Sequence, residues 1–221
     1  MLVQIYEIAS AEEARAVAAA GVDHVGVLVG RGAFPRERSV AEARRIFAAL
    51  PRRARRVALS LSPDLGEIAR VIEQAGPDII HLGASAERLG PAMSADVKRG
   101  YPGVKLMRSI PVVDESSIAF AKAHERIADF LLLDSHVPGD AQIGALGRTH
   151  DWAISRRIVE TVAVPAILAG GLGPENVREA IRAVGPAGVD SKTKTDVPGT
   201  HAKDIAAVRA FAAAAKARPQ P

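Results

Sequence analysis

Eight times along the chain a short apolar, β-branched run gives way to a polar or glycine turn and then to a stretch of helical periodicity. The runs lie at residues 3–7, 24–29, 56–61, 78–82, 104–110, 130–134, 166–169 and 188–192. Helical stretches lie at 11–20, 40–50, 64–75, 86–99, 115–124, 153–161, 174–184 and 202–216. A strand that is apolar along its whole length is buried on both faces, and parallel pairing with crossover helices is the arrangement that buries it. Ser10-x-x-Glu13 and Ser39-x-x-Glu42 read as capping boxes, and Ser62-Pro63 sets a cap before a first-turn proline. Gly21, Gly76 and Gly185 each follow a helical stretch, where a left-handed residue closes the last turn. The alternation predicts an α/β fold, a single-domain (β/α)8 TIM barrel over residues 1–217, with 218–221 as a frayed tail. A doubly wound open sheet would carry fingerprint glycines after its first strand, and Tyr6-Glu7-Ile8 has none.

Composition narrows the class further. The 221 residues are 48% hydrophobic but only 4% aromatic, which suits close-packed helices over a buried sheet. There is no cysteine, so disulfides, thiolate zinc sites and a cysteine nucleophile are excluded. No charged-then-apolar leader is visible and no apolar run approaches the ~20 residues of a membrane span, so a soluble cytoplasmic protein without a membrane partner is expected. The net charge of +4 draws on Arg52, Arg53, Arg55 and Arg56. These follow a predicted helix end, where cations suit the dipole, and no aromatic residue is interleaved to stack on bases. No nucleic-acid partner is expected.

In a barrel, chemistry sits where strands end and the following loops begin. Asp134 closes the run Phe130-Leu131-Leu132-Leu133, where a carboxylate either caps the next turn or does chemistry. His136 shares its face if the strand continues that far. His81 lies inside the apolar run Ile79-Ile80-His81-Leu82, either as a satisfied core residue or as part of a site on the inward face. In 166–177, AILAGGLGPENV, the paired Gly170 and Gly171 let the backbone approach a ligand, and a helix opening at Pro174 favours an anion. Ser191, Lys192 and Thr193 follow the eighth run, beside those glycines, where barrels commonly hold a phosphate. An ordinary tight turn and a solvated polar loop are the plainer readings. Arg36, in the second loop, has the fork geometry to clamp a carboxylate or phosphate.

Several blocks resemble one family in order along nearly the whole chain. They are 21–29, Phe34-Pro35-Arg36, Leu132-Leu133-Asp134-Ser135, Asp151-Trp152, Leu168-Ala169-Gly170-Gly171-Leu172 with Pro174-Glu175-Asn176-Val177, and Gly188-Val189-Asp190. Together they are similar to phosphoribosylanthranilate isomerase of tryptophan biosynthesis. The resemblance implies a (β/α)8 barrel without metal or cofactor, carrying out an Amadori rearrangement of a phosphoribosyl amine. A general acid opens the furanose by protonating its ring oxygen, and a general base takes the proton from the neighbouring carbon. By position Asp134 matches the acid, Arg36 a residue near the anthranilate end, and Gly170 and Gly171 the backbone ligands of the phosphate. The implied partner is a small phosphorylated substrate, and the chain is expected as a monomer or homodimer.

The sequence departs from the family where the chemistry lies. The family's first strand ends Lys-x-Cys-Gly, with the cysteine as base, whereas this chain has Gln4-Ile5-Tyr6-Glu7. A phenol with a reference pKa near ~10 is a poor base at neutral pH. Either His81 or Glu7 then has to supply the base, and His81 is the better candidate because imidazole titrates close to neutrality. Catalytic candidates are therefore Asp134, His81, Tyr6 and Glu7, with Arg36 and His136 binding substrate. The fourth strand's Gln-Leu-His-Gly becomes His81-Leu82-Gly83-Ala84, the eighth strand's Ser-Ser-Gly becomes Lys192-Thr193-Lys194, and the segment 144–150 is altered. Two other readings stay open. One is a metal-assisted epimerase, lyase or hydrolase using Glu7, His81, Asp134 and His136 as donors. The other is a non-catalytic binder of a phosphorylated metabolite.

Overall fold

A computed structural model describes residues 1–34, 36–137, 139–141, 143 and 149–217. Its strands are β1 (Leu2–Ile5), β2 (His24–Leu28), β3 (Arg55–Ser60), β4 (Ile79–Leu82), β5 (Lys105–Val112), β6 (Phe130–Ser135), β7 (Ala166–Leu168) and β8 (Gly188–Ser191). They pair in parallel in sequence order, and β8 closes on β1 with Leu2 opposite Gly188 and Ile5 opposite Ser191. The crossovers are α1 (Ala11–Ala19), α2 (Val40–Ala48), α3 (Leu65–Ala75), α4 (Pro91–Gly100), α5 (Ser116–His124), α6 (Trp152–Thr161), α7 (Val177–Val184) and α8 (Ile205–Lys216). The closed (β/α)8 barrel is the architecture that the strand–helix alternation predicts. Among the described residues no helix is long and apolar enough to cross a membrane.

Two apolar layers hold it. The larger lies between helices and sheet and includes Val3, Ile5, Val25, Ile68, Leu131 and Phe211. Each such side chain, fully buried, contributes about 1.5–3 kcal/mol. The smaller fills the barrel interior with Tyr6, Val57, Ile79, Met107, Leu132 and Ile167. Side chains alternate across a strand, so residues two places further on point the same way. Those are Leu59, His81, Ser109 and Asp134, and all four line the cavity at the C-terminal mouth. On these four strands the inward layer therefore changes within one step from filling the interior to lining the cavity.

Several element boundaries differ from the sequence reading, each for a local reason. The β1 strand ends at Ile5 because the chain turns at Glu7, whose φ of 63° makes it the only non-glycine residue with positive φ among those described. Asp64, not Ser62, caps α3, accepting from the Glu67 N–H at 2.7 Å. The Ser39 capping box is complete, but at Ser10 only half forms. There the Glu13 carboxylate accepts instead from the N–H groups of Ala9 at 2.6 Å and Lys203 at 2.8 Å. Helix α7 opens at Val177 rather than Pro174, after a turn in which the Gly173 N–H donates to the Asn176 side chain at 2.9 Å. A 3-10 turn at Thr193–Thr195 and a bridge between Asp196 and Lys203 occupy the loop before α8, which Asp204 caps. The tail 218–221, most of the altered segment 144–150 and Pro35 fall outside the described residues.

Candidate active site

A cavity of about 200 Å3 opens at the C-terminal mouth of the barrel, lined by Tyr6, Glu7, Arg36, His81, Asp134 and Lys192 among others. A smaller pocket of about 30 Å3 is lined by Gly170, Gly171, Ser191, Lys192 and Thr193. Asp134, Asp190 and Lys192 border both, so the two spaces adjoin along one wall.

Tyr6 enters the barrel across Gly26 of β2, where a Cβ would stand 2.2 Å from the phenol ring. No other residue leaves room for that ring. Its hydroxyl lies 2.6 Å from His81 Nδ1, and His81 Nε2 lies 2.7 Å from Ser109 Oγ. Burial, reinforced by the charge of Asp190, pushes the Tyr6 phenol well above its ordinary value. Burial pulls the His81 imidazole down to about 3, with the Arg108 guanidinium acting in the same direction. A neutral imidazole has one donor and one acceptor nitrogen, and both are engaged here. His81 is thus a poor base, contrary to the preference that its type suggested. Tyr6, still carrying its proton, is no better.

Glu7 follows at the turn, in a left-handed conformation that costs a non-glycine residue of order 1–3 kcal/mol. Its Oε2 has no hydrogen-bond partner and faces two cations, Lys192 Nζ at 3.4 Å and Arg36 Nε at 3.5 Å. The Arg36 Nη2 donates to the Glu7 carbonyl at 2.5 Å, which ties the second loop to the end of β1. That loop is shaped by Glu37, whose Oε2 accepts from the N–H groups of Gly32 at 2.8 Å and Ala33 at 2.7 Å.

Asp134 stands at the end of β6, with its Oδ1 accepting from the Ser135 N–H at 2.8 Å. Asp190, inward on β8, accepts from Gln4 Nε2 at 3.2 Å, and the Gln4 side-chain Oε1 is 3.1 Å from His24 Nδ1. Burial holds the Asp190 carboxyl well above the usual carboxylate range, helped by the negative charge of Asp134. The Gln4 hydrogen bond and the charge of Lys203 act in the opposite direction without offsetting that burial. The sequence reading passed over Asp190. Its place two residues before Lys192, on the inward parity of β8, was the available signal. Ser109 and His201, the latter from the loop before α8, also line the cavity and were missed.

In the glycine-lined pocket Gly170 and Gly171 have φ of 83° and 62°, the left-handed region in which the paired glycines turn the chain away from β7. Ser191 lines the pocket, but its hydroxyl donates to the Leu172 carbonyl at 2.6 Å. It stitches β8 to the glycine turn and has no hydrogen left for an anion. His136, expected to bind substrate, lines neither space, and its electrostatic neighbour is Glu87, in the loop after β4. Among the described residues no three His, Asp or Glu side chains are grouped to hold a metal ion, so the donor set Glu7, His81, Asp134 and His136 does not assemble.

Carboxyl groups at strand ends beside a glycine-lined pocket, at the C-terminal mouth of a parallel barrel, are the layout of barrel enzymes that act on small phosphorylated molecules. The model of the family "N-(5'phosphoribosyl)anthranilate (PRA) isomerase" matches residues 3–214. The N-(5'-phosphoribosyl)anthranilate isomerase of Methanocella arvoryzae is 35% identical over 209 residues, 95% of each chain. That of Haloferax volcanii is 36% identical over 217 residues, covering 97% of this chain and 92% of the relative. The crystal structure of the Thermotoga maritima enzyme superposes with a TM-score of 0.79 at 26% identity, over 98% of both chains. The chain belongs to the phosphoribosylanthranilate isomerase family, intramolecular isomerases of tryptophan biosynthesis.

Proposed function

We propose that the protein isomerises N-(5'-phosphoribosyl)anthranilate by an acid/base Amadori rearrangement, with Asp134 as the general acid. The observation that carries this reading is that Asp134 borders both the main cavity and the glycine-lined pocket. A proton donor so placed stands between a chamber for a ring and a seat for a phosphate. The phosphate is held by the backbone at Gly170 and Gly171 and by Lys192 and Thr193. The aromatic amine packs among Leu28, Phe34, Leu59 and Leu61, with Arg36 facing its carboxylate. Asp134 gives its proton to the ring oxygen, the bond from that oxygen to C1 breaks, and the amine nitrogen's lone pair forms a protonated imine. Removal of the C2 proton and return of a proton to C1 complete the isomerisation, leaving a ketone at C2 and the amine on C1. No metal or redox step is needed to balance it. The protein so read works in the cytoplasm, as a monomer or homodimer, on a small phosphorylated substrate and without nucleic acid.

The test is turnover of the phosphoribosylanthranilate by purified protein. Asp134→Asn keeps the shape of the side chain and removes its acidity, so it is expected to abolish turnover. A variant with the wild-type rate would show that the ring oxygen is protonated elsewhere.

A further inference from the structure

We propose that Glu7 is the base that removes the C2 proton, and that it does so in place of the thiolate that this chain lacks. The inference rests on the isomerase reading above and names the group that it left open. Three features of the end of β1 converge on Glu7. It lines the same cavity as Asp134, so acid and base share one chamber. Its Oε2 is buried without a hydrogen-bond donor, which leaves a lone pair for a proton. It also holds the only left-handed φ of any described non-glycine residue, a conformation that persists where the surroundings enforce it and that clusters at active sites.

The neighbouring groups fail as bases for stated reasons. The Tyr6 hydroxyl retains its proton beside His81, and both nitrogens of His81 are occupied. Asp190 is bound to the Gln4 amide, and burial keeps its carboxyl protonated over a wider pH range. The cations at 3.4 and 3.5 Å from Glu7 Oε2 would compete with a substrate proton for that oxygen if they stayed there. Both have competing anions to meet in the complex. Lys192 also borders the phosphate pocket, and Arg36 faces the chamber in which the aromatic carboxylate is placed. Substrate anions that draw these cations away release the Glu7 carboxylate when a proton is there to be taken. In the step itself Glu7 takes the hydrogen on C2 as a proton, and the C2–H electron pair becomes the C1–C2 double bond. The imine π pair returns to nitrogen, giving a neutral enolamine. Glu7, now protonated, hands a proton to C1 as the enol oxygen gives its own up to water, and the Asp134 carboxylate left by ring opening takes a proton back from water, so both groups return to their starting states.

The experiment compares the wild type with Glu7→Gln, Asp190→Asn and Tyr6→Phe on substrate carrying hydrogen or deuterium at C2. Glu7→Gln is expected to lose kcat by roughly 10² to 10⁴-fold with KM within a few-fold. Its primary isotope effect should rise above the wild-type value as proton removal becomes rate-limiting. Tyr6→Phe, which leaves the Glu7 carboxylate in place, is expected to retain the wild-type isotope effect. The assignment is overturned if Glu7→Gln stays within threefold of the wild-type kcat, if its loss falls on KM alone, or if Asp190→Asn shows the isotope signature instead. A wild type with no turnover takes down the isomerase reading as well, whereas an active wild type with an active Glu7→Gln takes down the base alone.

Discussion

At the scale of single residues, two positions next to one another at the end of β1 set what this site can do. Tyr6 fills the barrel over Gly26 and anchors His81, so the position occupied by a cysteine base elsewhere in the family becomes a packing element. Glu7 places a carboxylate at a turn whose backbone favours glycine. Both Glu7→Ala and Glu7→Gly remove that carboxylate and its ion pairs, so their difference isolates the backbone. The glycine variant is expected to be more stable by about 1 kcal/mol in urea titrations, because it alone relaxes a left-handed φ. Equal stability would mean that the turn carries no strain. The identity of these residues was plain in the sequence, but their consequences were not. A histidine's type suggests a base near neutrality, and only the coordinates reveal that Tyr6 and Ser109 occupy both its nitrogens.

At the scale of elements, the loop between β8 and α8 is fastened by a buried pair. Lys203 Nζ meets Asp196 Oδ1 at 2.5 Å and donates to the Lys192 carbonyl at 3.2 Å, while its own N–H reaches Glu13 at the start of α1. Burial pulls the Lys203 ammonium below its ordinary value, with Asp196 opposing the shift. This clasp fixes the segment that presents Lys192 and His201 to the cavity. Lys203→Met strands a buried carboxylate and is expected to cost about 3–5 kcal/mol of unfolding free energy, whereas Lys203→Met with Asp196→Leu should recover much of it. A single variant as stable as the wild type would show that the pair holds nothing. Strands were legible because each is an apolar run between breakers, and β6 and β4 fall within a residue of their expected limits. Helix starts were less so. Asn176 and Asp204 open α7 and α8 later than the periodic pattern suggested, since turns tied by side chains precede them.

Over the whole molecule, the barrel closes around polar groups that its apolar layers force to stay neutral. His24, His81 and His124 are buried, and desolvation holds them at about 4, 3 and 4. The unfolded chain protonates these rings below about pH 6.5, while the folded chain does not until near pH 4. Unfolding therefore takes up protons across that window, and stability is lost as pH falls from 6.5 toward 4. Between pH 7 and pH 5 each ring is expected to cost on the order of 1–2 kcal/mol, read from urea midpoints at the two pH values. A protein equally stable at both would contradict the neutral assignment. The closed topology follows from the eightfold alternation, and the glycine turn after β7 was readable letter by letter. What could not be read was which inward side chains the barrel's curvature would bring together, since Glu7, Lys192 and Arg36 are far apart in sequence.

The central claim is that this chamber performs the family reaction through Asp134 despite the lost cysteine. Its most direct test is complementation of a tryptophan auxotroph lacking the isomerase, with the wild-type chain and Asp134→Asn expressed side by side to equal soluble levels. Growth without tryptophan is predicted for the wild type and none for the variant. A wild-type chain that accumulates folded and supports no growth would contradict the account.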